Sequence, residues 1–399
     1  MTTRRSFLLL AGTSIALGAA GCRDTATPPA AATAPDVLIA ETGQGLVRLT
    51  PQGVQAYGPA SVLSNGGTRL AVVREKVLSQ IVTGTGETTR TAALPDGWLP
   101  RAVSPDGRAC ALSRTPASVV PRGRERTPLL VVVDGRQREF DLPGVIEPDA
   151  FSSDASALFV LDWQPAGNPD HYRVRVLDLA TGRMEPLNTR AKTAVPAGAE
   201  EQMRGEGRQA VPAGNLLLTL YTHQPGHQHT RDLLSGRPGN AHAFVHVLHL
   251  TDRWAYCLDL PHPFGEGPPA AHALAADAEG LVVLDSTSGQ LAYADLETLT
   301  IQRTGPARVP AGTAAALALT ADRRVLAGAK DQVSVLDRGS GTVTGGWHVP
   351  DPLLGIGLSR DGSRVYAGTT GAVHWLDART GEALGRVPVD GLTGLRHVG

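Results

Sequence analysis

The sequence predicts an all-β fold, and three observations carry the prediction. Glycine and proline supply 46 and 29 of the 399 residues, so chain reversals must recur from end to end. Hydrophobic residues make up 42% of the chain, gathered in short runs of strand length between those reversals. A turn signature of the Ser-x-Asp-Gly type then returns at intervals of 48, 45 and 39 residues where consecutive copies are compared. That period, with four short strands in each unit, describes the blade of a β-propeller. Helical bundles and helical solenoids do not fit. The chain is too apolar for a disordered polymer, and a net charge of −1 with no strongly basic block argues against a nucleic-acid partner.

The signature reads Ser104-Pro105-Asp106-Gly107, Ser152-Ser153-Asp154-Ala155, Thr320-Ala321-Asp322-Arg323 and Ser359-Arg360-Asp361-Gly362, with Ala275-Ala276-Asp277-Ala278 as a decayed copy. A second pattern follows: Val174 to Asp178 closing in Thr181-Gly182, Val333 to Asp337 closing in Ser340-Gly341, and Val373 to Asp377 closing in Thr380-Gly381. Aspartate accepts hydrogen bonds from the backbone two residues on and glycine tolerates positive φ, so each pattern ends one strand and starts the next. Whole blades are expected at about 58–94, 98–143, 145–188, 195–262, 266–305, 307–349 and 352–389. Three further strands between Val37 and Tyr57 and one from Leu392 to Val398 complete an eighth blade, pairing the two ends of the chain and removing an exposed edge. Eight blades is the count, seven the alternative if one unit is irregular. These segments resemble the YVTN/WD40-like propeller repeats of secreted bacterial proteins over 37–399, without the full WD40 His and Trp-Asp signature. The resemblance implies fold more than function.

Residues 1–22 read as an export signal: Arg4-Arg5 precedes an uncharged stretch too short to span a bilayer. Thr3-Arg4-Arg5-Ser6-Phe7-Leu8 resembles the twin-arginine pattern, which implies export of a folded protein. Ala19-Ala20-Gly21-Cys22 resembles a bacterial lipobox, which implies lipidation at Cys22, although leucine is commoner where Ala19 stands. Residues 23–36, rich in Ala, Thr and Pro, form a flexible tether between this anchor and the propeller. The expected address is the outer face of the cell membrane or the periplasm. Cys110 and Cys257 fall in non-adjacent blades and are expected as buried free thiols rather than a disulfide.

Five connections between second and third strands are tight, as at Lys330-Asp331-Gln332 and Thr369-Thr370-Gly371. Three are long and belong to consecutive blades: Ser113 to Pro128, Asp162 to Tyr172 and Thr222 to Ala243. Such loops share one rim and should meet in a lobe, the candidate binding site. Its residues are Arg122, Arg124 and Arg126, then Trp163, Asp170 and His171, then His223, His227, His229, Arg231, Arg237 and His242. Arginine and histidine could receive an anionic or carboxylate group, with Trp163 as an apolar anchor. Against this, only three of the 37 cations are lysine, so arginine is simply the general cation of this chain.

Seven of the twelve histidines lie between His223 and His262. His223, His227 and His229, with His242 in addition, have a spacing that permits zinc or copper, but no HExxH helix, Cys-x-x-Cys pair or clustered carboxylate accompanies them. They remain weak metal candidates. His246 and His249, on opposite faces of one strand, are expected to pack between blades. No nucleophile elbow or phosphate-binding glycine loop appears. The expected function is a non-catalytic, monomeric, lipid-anchored module that binds a protein or small ligand and needs no cofactor. Its rivals are a lactonase-like or other hydrolytic propeller enzyme using the Arg/His lobe, and a metal-binding lipoprotein.

Overall fold

The computed structural model describes residues 33–399. The export signal, Arg4, Arg5 and Cys22 lie outside the described residues. Eight four-stranded antiparallel sheets form a closed ring, and at six of the eight joints the inner strand packs closely against that of the next blade. Seven blades run in chain order at 61–93, 99–143, 145–186, 209–259, 272–306, 315–348 and 353–388. The eighth takes its outer strands from Gly53–Gly58, Gly45–Thr50 and Leu38–Thr42 and its innermost strand from Leu392–Val398. There Leu38 pairs with Val398 and Glu41 with Gly394, as the two-ended closure requires. Among the described residues no helix is long and apolar enough to cross a membrane.

The repeated turns do what their residues dictate. Asp106, Asp154 and Asp361 each accept a 2.6 Å bond from the serine two residues before and a backbone N–H two residues after. Asp178, Asp337 and Asp377 accept the N–H three residues on, at 2.7–2.8 Å. Where glycine is replaced in the first pattern, Ala155 and Arg323 still hold φ of 52° and 64°. The aspartate bonds outweigh a left-handed cost of about 1 kcal/mol per residue.

Antiparallel connections alternate between the two rims of the ring. Gly43 N donates to Gly391 O on one rim, whereas Gly399 N donates to Val37 O on the other. The rim of residues 37 and 399 carries the Asp-based turns just described; the opposite rim carries the connections between second and third strands and those between blades. The core lies between blades. Its aromatic part sits between the blades at 145–186 and 209–259, where Trp163, Tyr172, Tyr221 and Phe244 form one chain of rings.

The fourth whole blade begins later than its expected position at 195. Its first strand is Gln209–Ala213, and residues 187–208 form a long inter-blade connection: Asn188 and Arg190 lie against Arg253 and Thr298 at the Asp-turn rim, and the chain then crosses to the loop-bearing rim, where Met203 and Arg204 meet Tyr172 and Gln224. Residues 196–208, rich in Gly, Glu and Arg, lack the alternation a strand needs.

Candidate metal centre

The three long loops share a rim. Arg124 N donates to Ala166 O at 2.9 Å, joining the first to the second, and Gly205 of the connection 187–208 lies against Val119 and the Trp163 ring. That connection is pinned beneath the third loop. Met203 and Tyr172 exchange backbone bonds of 2.8 and 2.9 Å, and Arg204 N donates to the Gln224 side chain at 3.0 Å.

The arginines of this lobe do not converge. Arg122 and Arg237 project from the surface, and Arg126 donates to Asp141 O at 2.6 Å. Arg124 donates to Thr127 Oγ1, and Arg231 to Asp259 at 2.6 Å and Cys257 O at 2.9 Å. Asp170 pairs with His171 at 2.6 Å. Trp163 is not a surface anchor: at 1% exposure it packs 4.6 Å from Tyr172. Ala157–Trp163 is buried on both faces, and Trp163 lies in the seam shared with the next blade, where burial of so large a ring wins over exposure at the loop mouth.

The histidines divide. His223, at φ 60°, turns Nδ1 to Thr222 Oγ1, and His242 places Nε2 2.9 Å from Gly265 O. His227 and His229 instead turn inward beside two residues not in the predicted set, Glu201 from the connection 187–208 and Cys257 from the outer strand Ala255–Asp259. One donor atom from each of the four lies within 4.8 Å of all the others.

Local structure fixes every donor. Glu201 Oε1 accepts Thr230 N at 2.9 Å, at the start of the short helix Thr230–Ser235, leaving Oε2 for the cluster. Gly236 in the left-handed conformation ends that helix, and His229 stands at its N-cap. His227 Nδ1 lies 3.1 Å from Gln202 O, and His229 Nε2 is bonded to Asp259. Each ring therefore has one nitrogen held by an outer oxygen, the arrangement that orients metal-bound imidazole. The remaining nitrogens, His227 Nε2 and His229 Nδ1, are buried without a hydrogen-bond partner among the described residues, each 3.8 Å from Glu201 Oε2. Phe244 walls the site, stacked on His227 at 4.3 Å and edge-on to His229 at 5.2 Å.

Without metal, the cluster holds protons where a cation would sit. Burial pushes the Cys257 thiol well above its usual range, reinforced by Glu201, whose Oε2 is 2.7 Å from the sulfur. Burial would raise Glu201, but His227 and His229 hold it well below the ordinary value. Burial would lower His229, but Asp259 and Glu201 raise it to about 9. A divalent cation held by these four atoms would take the places of the protons on Cys257 Sγ and His229 Nδ1, and sulfur and carboxylate, now 2.7 Å apart, would have to separate. Donors on a tetrahedral zinc stand about 3.3–3.7 Å from one another, so the histidine contacts to Glu201 need only small adjustments.

The sequence carried partial signals for this site. His227 and His229 were in the expected histidine set; Glu201 sits in a connection without a pattern, and Cys257 reads as an ordinary buried strand residue. A carboxylate and a thiol do accompany the histidines, from 26 and 28 residues away in the chain. Among the described residues the free cysteines, Cys110 and Cys257, are both buried.

No family model and no curated protein matches the sequence. Among solved structures the chain is similar to the dihydro-heme d1 dehydrogenase NirN in complex with DHE, at 12% identity and TM-score 0.52, over 93% of this chain and 76% of that one. It is also similar to apo AztD from Citrobacter koseri, at 12% identity and TM-score 0.52, over 90% of this chain and 96% of that one. The chain is a β-propeller. Likeness at this level is of fold alone.

Proposed function

We propose that this protein is an exported, lipid-anchored β-propeller that binds a divalent transition metal of the zinc class through Glu201, His227, His229 and Cys257. The observation that carries the reading is the pair of buried, unpartnered imidazole nitrogens facing a carboxylate and a thiol, each ring braced from behind by an oxygen. Two imidazoles, one thiolate and one carboxylate suit zinc better than the hard cations magnesium and calcium. Four protein donors fill a tetrahedral shell, so the centre favours holding a metal over activating water, and the binding reading over the hydrolytic one. The scattered arginines give no support to a carboxylate-binding lobe.

The test is zinc competition against a chromophoric chelator. The chelator-stripped protein takes up one equivalent; Cys257→Ser and His227→Ala weaken it at least 100-fold, and His223→Ala leaves it unchanged. Cobalt gives a thiolate-to-metal charge-transfer band that Cys257→Ser removes. Failure of the wild type to bind, or equal binding by a folded His227→Ala/His229→Ala double variant, refutes the reading. For the anchor, Cys22→Ala shifts the protein from the membrane to the soluble fraction; unchanged lipid labelling refutes it.

A further inference from the structure

A cavity of ≈ 260 Å³ lies beside the metal centre, between the connection 187–208, the short helix Thr230–Ser235 and the outer strands of the blade at 209–259. Val174, Leu187, Val195, Met203 and Tyr256 form its walls, and Leu234, an exposed leucine at 56%, also lines it. Its charged groups are committed to protein partners. Glu200 accepts from Arg175 at 2.6 and 2.8 Å, Arg231 donates to Asp259, and Arg190 donates to the carbonyls of Glu297 and Thr298. Glu201 belongs to the metal set.

One polar side chain facing the cavity is different. His246, 3% exposed on the strand Phe244–His249, stands directly opposite Cys257 in the sheet and has no side-chain hydrogen bond among the described residues. A mostly apolar chamber, with half-buried Asn188, Thr189 and Thr230 in its lining and one deeply buried imidazole, has the make-up of a small-molecule site, in which shape supplies affinity and the buried polar group sets orientation. A charge on the guest would be desolvated against apolar walls, where Glu200 and Arg231 already face opposite charges and the Arg190 guanidinium is turned to the carbonyls of Glu297 and Thr298.

We infer that this cavity binds a small, uncharged, largely apolar molecule whose single hydrogen-bonding group meets His246. The inference goes beyond metal binding and does not require it.

The test titrates the full-length protein with 2-naphthol, followed by its fluorescence, and compares naphthalene-2-carboxylate and 2-naphthylmethylammonium. Naphthol binds at least tenfold more tightly than either ion. His246→Phe weakens naphthol about tenfold, the worth of one hydrogen bond. Ala191→Trp, an exposed residue lining the cavity, blocks naphthol while leaving the far-UV spectrum and zinc uptake unchanged. Naphthol failing to bind, either ion binding as tightly, or a folded His246→Phe protein binding naphthol like the wild type overturns the inference. Zinc uptake is measured separately in every sample, so failure here leaves the metal reading standing.

Discussion

Ending the chain at Asp390 removes the innermost strand of the closing blade, and the cost can be worked from what that strand buries. Leu392 is 5% exposed, and half-buried Leu395 and Val398 pack in the same cluster, which includes Leu38, Tyr366 and Val373. Leu395 lies close against the backbone of Gly355 and Gly368, where an added Cβ would come within 3.1 and 3.2 Å of its Cβ. One full and two partial apolar burials amount to about 5 kcal/mol, a third or more of the stability of a typical domain. At a slope of about 3 kcal/mol per molar, the urea midpoint falls by about 1.7 M. Tryptophan fluorescence follows the transition, and a synthetic peptide of residues 390–399 added in trans restores part of the loss. Leu384→Ala, at a side chain 48% exposed, is the control and costs no more than about 0.5 kcal/mol. An unchanged midpoint in the shortened chain would show that the strand contributes nothing to closure.

Three further outcomes follow from the same geometry. Asp259→Asn weakens zinc binding 10- to 100-fold by loosening the brace behind His229, with the protein still folded; an unchanged competition titration would remove Asp259 from the centre. Trp163→Ala destabilises by about 4 kcal/mol in urea unfolding, as loss of a buried ring does; a cost below 1 kcal/mol would return Trp163 to the surface. Asp154 has its carboxyl lowered from 3.8 to about 2, chiefly by the Ser152 hydroxyl and the Ser156 N–H. Its contribution is therefore present above pH 4 and lost as pH falls towards 2. The Asp154→Asn protein is less stable than the wild type at pH 7 by no more than about 1 kcal/mol, because the group is exposed, and the gap closes between pH 4 and 2. A gap that persists at pH 2 would assign the loss to something other than the charge.

The ring was legible because its instructions are local. Asp106, Asp178, Asp337 and Asp361 bond to backbone within three residues, so spacing alone reveals each reversal, and the strand runs between them must pair as blades. The end-to-end blade was legible for a different reason: three strands before the first unit and one after the last have no other partner. The centre was half legible. His227 and His229 share a loop and were visible together, but Glu201 enters from a connection with no periodic pattern, and Cys257 is one apolar-looking residue in a strand. Only packing of the third loop over residues 187–208 brings the four together. Trp163 shows the opposite failure: a tryptophan beside a long loop reads as an anchor, but its strand is buried on both faces up to the loop mouth.

The end-to-end blade also sets the way the molecule faces. Residue 37 leaves the ring on the rim of Asp-based turns, beside residue 399, while residues 43 and 391 meet on the other. Anything attached upstream of residue 33 therefore holds the ring by its short-turn side. The long loops that carry His227 and His229 then stand on the far rim, whereas Asn188 and Arg190 bring one side of the chamber beside His246 to the near one.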